Sequence, residues 1–360
     1  MNDNHISPEG LKKVNMTNPE TGNAEIRRCR PDDPAFLPTV TMRELYENVY
    51  RSRPFLVEGL LRTGTYLFAG APKVGKSFLM AQLAYHVGAG IPLWDFPVRQ
   101  GAVLYLALED DYRRLQERMY RMFGTESAER LFFSVCAKQL GAGLDEQLQM
   151  FVREHPDTRL IIVDTLQKIR ETCGDNYSYA NDYEVIGRLK RFADYHNVTL
   201  LLVHHTRKQQ SDDRFDMISG TNGLLGAADG AFLLQKRKRT DQTATLDISG
   251  RDQQDQRLYL QRNRDSLVWE LERSEAEVWT EPPDPVLTAV SALVTPERPV
   301  WAGTATELAE ILHANMKPNT LTMRLNVCAD ALFEKHHIRY ESGRTHAGRQ
   351  IRLTLTPEAA

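Results

Sequence analysis

The chain has 360 residues, enough for one large domain and a smaller one, each with a core of its own. Apolar and charged fractions of 41% and 26% are those of a globular protein and exclude a disordered or fibrous chain. With 45 Lys and Arg against 48 Asp and Glu, the formal charge is -3, so any attraction for nucleic acid must come from local patches.

No run approaches the roughly 20 apolar residues of a membrane span, and the opening MNDNHISPEG lacks the apolar stretch of a signal peptide. Cys29, Cys136, Cys173 and Cys328 are far apart and lack metal-ligand spacing. They predict unpaired thiols in a reducing cytosol, hence a cytoplasmic protein with no membrane partner.

In chain order, residues 1–38 are polar, rich in Pro, Asn, Asp and Glu, with a basic cluster at Arg27, Arg28 and Arg30. They predict a loosely held tail. A first folded domain is expected over 39–280. Its apolar runs TYLFAG (65–70), AVLYLAL (102–108), RLIIVD (159–164) and TLLLVHH (199–205) are continuously apolar, as strands buried on both faces of a parallel sheet are. Helical patterns at 76–89, 112–123 and 183–195 alternate with them, which predicts an α/β doubly wound layer. After Gly230 the runs AFLLQKR, TATLDIS, RLYLQRN and SLVWELE are separated by turn signals and predict antiparallel strands extending the sheet. EPPDP (281–285) reads as a linker. Beyond it, 286–360 predicts a small separate unit: two or three short helices, then IRYES, a turn at 342–348 and RQIRLTL, an order that suggests a winged-helix-like fold.

Gly70-Ala71-Pro72-Lys73-Val74-Gly75-Lys76-Ser77 matches G-x-x-x-x-G-K-[ST] in full, after an apolar strand and before an apolar-faced helix that opens with Phe78. Glycines let the backbone turn so that successive N–H groups form an anion nest, and the following helix adds the positive end of its dipole. The stretch 70–78 is therefore the expected ATP-binding segment, with Lys76 against the β- and γ-phosphates and Ser77 ligating Mg²⁺. Asp164, at the end of LIIVD, is the expected second Mg²⁺-holding residue; a helix N-cap is its bland alternative. For activating the attacking water, Glu109 in LYLALEDD is the candidate, because Thr165, which follows Asp164, cannot act as a base. A solvated N-cap cluster at 109–111 would use the same residues.

The stretches GAPKVGKS, LYLALEDD, LIIVDTL, LLVHHTRK, SGTNGLLGAADG and ISGRD occur in one order over roughly residues 50–275. In this the chain resembles the RecA-fold AAA-type ATPases that include the RepA hexameric replicative helicases of plasmids and mobile elements. The resemblance implies a RecA-like core at 39–280, ATP and Mg²⁺ as cofactors, and Glu109 as general base. It also implies that His205 is a polar sensor of the γ-phosphate, although a core histidine fits the position too. The segment after His205 corresponds to a DNA-contacting pore loop, in which Arg207, Lys208 and Arg214 would meet phosphates. Asp212, Asp213 and Asp216 offset that charge, and a solvated surface loop is nearly as good a reading. Among Lys236-Arg237-Lys238-Arg239 the resemblance implies an arginine finger that reaches a neighbouring subunit, Arg239 first and Arg237 second, with Arg251 as another candidate. A finger supplied in trans implies a homo-oligomeric ring, a hexamer.

In the C-terminal unit, residues 335–352 carry a local basic excess, and the expected nucleic-acid contacts are Arg324, facing a groove with Thr320 and Thr322, and Arg344 and Arg349 on the wing. The same fold used for protein contacts is the competing reading. The expected function is a DNA-dependent ATPase, a hexameric helicase or replication-initiation ATPase of a mobile element. The alternatives are an ATP-switched DNA-binding regulator that does not unwind and a recombination or repair ATPase that forms filaments.

Overall fold

The computed structural model describes residues 13–17, 24–28, 37–170, 179–206, 214–218, 222–251, 253–276, 284–313, 315–345 and 348–356. The chain divides into two units, Arg53–Thr280 and a discontinuous one made of Met1–Ser52 with Glu281–Ala360.

At the N-terminus, strands β1 (Lys13–Thr17) and β2 (Ala24–Arg28) pair antiparallel, Asn15 opposite Ile26. The polar composition of 1–38 hid this pair, because KVNMT and AEIRR are short and each carries only two apolar residues of five. Helix α1 (Met42–Glu47) follows, opened by a capping box in which Thr41 and Glu44 exchange side-chain-to-backbone bonds.

Strands β3 (Phe55–Val57) and β4 (Leu61–Arg62) form a small ladder of their own at the start of the large unit. The other strands of that unit make one nine-stranded sheet. In chain order its elements are β5 (Thr65–Gly70), α2 (Lys76–Ala89), β6 (Ala102–Ala107), α3 (Tyr112–Phe123), β7 (Leu131–Ser134), α4 (Leu144–Glu154), β8 (Thr158–Asp164), α5 (Leu166–Ile169), α6 (Tyr179–His196), β9 (Thr199–His205), a 3₁₀ turn (Phe215–Met217), α7 (Asn222–Ala227), β10 (Gly230–Gln235), β11 (Thr243–Gly250), β12 (Gln253–Arg262) and β13 (Trp269–Ala276). Across the sheet the order is β13-β12-β11-β10-β5-β9-β8-β6-β7. From β10 to β7 neighbours run parallel, and from β10 to β13 antiparallel. The α/β class, the mainly parallel sheet and its antiparallel extension are as the apolar runs predict.

Side chains of the central strands alternate between two cores. Tyr66 and Phe68 of β5 pack with Leu79, Met80 and Leu83 of α2, while Leu67 and Ala69 pack with Ile186 and Leu189 of α6. Helices on both faces are why these strands carry no polar alternation. The parallel register ends several strands together: Gly70 lies opposite His205 and Leu234, and Ala107 opposite Asp164. The carboxyl ends of β5, β6, β8, β9 and β10 thus share one rim, the edge at which open α/β sheets bind ligands.

The discontinuous unit resumes with α8 (Pro285–Ser291), capped by Asp284 and carrying Pro at its first turn. It continues through β14 (Val300–Thr304), α9 (Ala305–Ile311), α10 (Pro318–Val327), α11 (Ala329–His336), β15 (Ile338–Thr345) and β16 (Gly348–Leu355). Its sheet has the order β14-β16-β15. The expected turn at 342–348 is much tighter, since β15 and β16 pair as far as Thr345–Gly348, and β14 is a third strand that VWAGT did not announce.

Residues 39–52 belong to this unit and not, as the sequence suggested, to the one that follows them. The cause lies in the last carbonyls of α1, which have no partner inside the helix. Asn326 Nδ2 of α10 donates to the Tyr46 carbonyl at 2.9 Å, and Arg349 Nη2 of β16 to the Glu47 carbonyl at 2.6 Å. Arg51 Nη2 donates in turn to the Tyr340 carbonyl at 3.1 Å. Asn326 is buried and also accepts from the Tyr340 and Ser342 hydroxyls at 2.8 and 3.1 Å. Asn326→Ala strands those groups without water, so chemical denaturation of this unit is expected to show a loss of about 1–3 kcal/mol. An unchanged unfolding midpoint contradicts the hub role given to this side chain.

Candidate functional site

The loop between β5 and α2 is shaped by close approach. A Cβ on Gly70 would stand 2.6 Å from the Leu234 carbonyl oxygen, and one on Gly75 would stand 2.8 Å from the Trp269 ring. Gly75 also has φ 110° and is the N-cap of α2 with no side-chain cap, so the first amides of the helix are not taken by a capping side chain. Lys73, with φ 65°, supplies a second left-handed turn in the loop. Glycine is required at both positions, and together they form a concave run of backbone suited to an anion.

A buttress that the sequence did not single out stands behind this loop. Trp269, at the start of β13, is buried and donates from Nε1 to the Gly75 carbonyl at 3.4 Å. Gln82 of α2 clips the same residue, accepting from Trp269 N at 2.7 Å and donating to its carbonyl at 2.9 Å. The antiparallel extension therefore braces the phosphate loop, and Trp269 could have been suspected only from its place after a turn in an otherwise polar hairpin.

The polar groups expected on the rim do converge. The Lys76 ammonium is buried and donates to the carbonyls of Gly70 at 2.8 Å and Ala71 at 3.2 Å. It also donates to His205 Nδ1 at 3.3 Å, which makes that nitrogen the acceptor of a neutral imidazole. Burial lowers the Lys76 pKa, partly opposed by the charges of Asp164 and Glu109. Burial and the nearby Lys76 charge lower that of His205.

Asp164 is buried at the end of β8. Burial raises its pKa, while hydrogen bonds from Ser77 and Tyr105 act the other way. The Tyr105 bond, to Oδ2, is 2.9 Å long. Glu109 is exposed just beyond β6, and its Oε1 accepts from the Thr165 hydroxyl at 3.2 Å. Thr165, set aside as a base, thus orients the carboxylate that can be one. Phe78 lies between two guanidiniums, those of Arg262 at 4.0 Å and Arg118 at 5.1 Å from its ring centroid. Arg118 is in turn tied to Asp110 at 2.6 Å, next to Glu109.

Among the described residues no group of three or more His, Cys, Asp or Glu side chains could hold a metal. One buried carboxylate beside a serine hydroxyl and a phosphate-shaped loop is nonetheless a set that suits Mg²⁺, which binds through one or two carboxylates and substrate phosphates.

Other expected residues lie elsewhere. Arg237 and Arg239 are exposed in the turn between β10 and β11, a turn that leaves the same rim as Gly70. Arg251 is at the opposite end of the sheet, where Gly250 pairs with Gly230 and its guanidinium donates to the Gly226 carbonyl, which removes it from the site. Arg207 and Lys208 lie outside the described residues. Arg214 pairs with buried Asp247 at 3.1 Å, and Arg257 from β12 pairs with the other oxygen of the same carboxylate. Both line a cavity of about 560 Å³ together with Lys236, Arg237 and Tyr259.

In the discontinuous unit, Arg324 donates from Nε and Nη2 to Asp284 at 3.2 and 2.8 Å, and Thr322 is buried with its hydroxyl bonded to the Pro318 carbonyl. Arg349 serves α1, and the Arg344 side chain lies outside the described residues. Local charge in the sequence could not reveal that Arg324 and Arg349 already hold internal partners.

Residues 31–211 match the family model described as AAA domain. No curated protein matches. Many solved structures are similar, among them three at low identity. One, an ATPase domain, is 14% identical, with 58% of this chain and 84% of that one covered and a TM-score of 0.49. A DnaB-like replicative helicase, described with its interactions with primase, is 16% identical, with 58% of this chain and 57% of that one covered, at 0.48. The KaiC-like protein PH0186 of Pyrococcus horikoshii OT3 is 16% identical, with 62% of this chain and 100% of that one covered, at 0.44.

The His205 assignment has a pH signature. A folded-state pKa below the free histidine value means that the unfolded chain takes up the proton first, so this site's stability is full above about pH 6.5 and is lost as the pH falls toward the lowered value. His86 and His196 are also held low by burial and remain in any variant of position 205. Urea unfolding at neutral and mildly acidic pH should therefore show a smaller acid-side loss for His205→Asn than for the parent chain. Parallel losses in both proteins refute the assignment.

Proposed function

This chain belongs to the AAA domain family, and we propose that it is an Mg²⁺-dependent ATPase with a RecA-like core that works on DNA as a homo-oligomeric ring. The observation that carries the nucleotide reading is the convergence of Lys76, Ser77, Asp164 and His205 at the end of a loop whose two glycines leave no room for a side chain.

In this reading the backbone amides of 71–77 and the Lys76 ammonium hold the β- and γ-phosphates, exchanging the Gly70 and Ala71 carbonyls for phosphate oxygens. Ser77 and Asp164 would hold Mg²⁺, which would supply charge neutralisation on those oxygens. Glu109, steadied by Thr165, takes a proton from water as its oxygen bonds to the γ-phosphorus. The bond from phosphorus to the β–γ bridging oxygen breaks, giving ADP and phosphate. His205 joins Lys76 to the end of β9, so loss of the γ-phosphate is felt at the segment that follows. Arg239 or Arg237, exposed on the β10–β11 turn, would reach the nucleotide of a neighbouring copy in a hexamer.

DNA contact is supported by the basic cavity that Arg214, Lys236, Arg237 and Arg257 line, where Arg214 is anchored on Asp247. Arg207 and Lys208 remain the proposed loop contacts. The order helix, strand, three helices and two strands in the discontinuous unit favours a winged-helix DNA-binding role. There the exposed cations Lys317 and Arg352 are better placed for phosphates than the internally paired Arg324 and Arg349. Of the two classes of activity, we favour a helicase or replication-initiation ATPase of a mobile element. An ATP-switched regulator is the second reading, supported by the same small unit.

Lys76→Ala is expected to lose ATP affinity in calorimetry. Glu109→Gln should bind ATP yet hydrolyse it roughly 100- to 10,000-fold more slowly. Full hydrolysis by the glutamine variant would discard Glu109 as the base. Strand displacement of a tailed duplex by the parent chain but not by Lys76→Ala marks a helicase; site-specific binding without displacement marks the regulator.

A further inference from the structure

Tyr105 is a tyrosine in the middle of an apolar strand, fully buried and packed against Phe133 with ring centroids 5.7 Å apart. Its strand β6 lies beside β8, with Tyr105 opposite Ile162 and Ala107 opposite Asp164. The ring therefore runs along the sheet toward the rim and delivers its hydroxyl to Asp164 Oδ2 at 2.9 Å, with the Ser77 carbonyl 3.4 Å away. A phenol has one proton to give, and the shorter bond places it on the carboxylate. Ser77 bonds the same carboxylate through its side chain. Asp164 is thus gripped from β6 and from the first turn of α2.

A phenylalanine would fill the same core without cost to packing, so apolar burial does not explain the hydroxyl. We propose that Tyr105 is a positioning residue for the metal: it fixes one oxygen of Asp164 so that the carboxylate presents a constant orientation to Mg²⁺ held with Ser77. Partners of this kind, which orient a metal-binding carboxylate without touching the ion, typically change metal affinity or activity roughly 10- to 100-fold when lost.

The proposal rests on the nucleotide reading above, and one titration separates the two. A non-hydrolysable ATP analogue is titrated calorimetrically into the full chain and into Tyr105→Phe, in chelator and over a series of Mg²⁺ concentrations. The half-saturating Mg²⁺ is expected to rise roughly 10- to 100-fold in the variant, with the affinity in chelator unchanged. An identical Mg²⁺ dependence overturns the proposal, as does an equal loss with and without metal, which is the mark of a structural role. If the parent chain itself fails to bind the analogue, the nucleotide reading falls first. Should Tyr105→Phe not fold, the hydroxyl is required by the core itself, and the proposal is overturned in favour of a structural role.

Discussion

Parallel strands buried between two helical layers have no free choice of where they end. In the large unit the hydrogen-bond register brings Gly70, His205, Leu234, Ala107 and Asp164 to one edge. Every polar group of the site projects from that edge or from the first turn of the helix that leaves it. An ammonium and a carboxylate are both desolvated there, with their pKa values displaced in opposite directions by burial. Such a pair is costly to assemble, and a core made of continuous apolar strands is what holds it in place.

The antiparallel strands supply what the parallel ones cannot. β13 sends Trp269 under Gly75, and β12 sends Arg262 over Phe78, so the loop is braced from the side of the sheet that carries no helix crossover. The exclusion of a side chain at Gly75 is thus a property of the extension as much as of the loop. Glu109 has a brace of its own, through Thr165, and neighbouring Asp110 is tied to Arg118.

Much of this was legible because its signals are local. Runs such as LIIVD and TLLLVHH betray burial on both faces, and the fixed spacing around Lys76 betrays its loop. What escaped depends on partners distant in the chain. β7 is a short edge strand, only partly buried, and VWAGT is interrupted by glycine, so neither carries a strong strand pattern. Arg324 and Arg349 read as available charge until Asp284 and the end of α1 are seen beside them. Tyr105 looks like one more core aromatic in LYLALED, and only the neighbouring strand shows where its hydroxyl goes.

The capture of α1 by Asn326 and Arg349 has a consequence for biosynthesis. Translation delivers the N-terminal half of the smaller unit first, then everything from Arg53 to Thr280, and only then the half that completes it. The helix must therefore wait on the ribosome while the larger unit condenses, and the two separated pieces join last. A nick at either crossing would leave both halves clasped together, so the smaller unit can outlast a cut that would detach an ordinary appended domain.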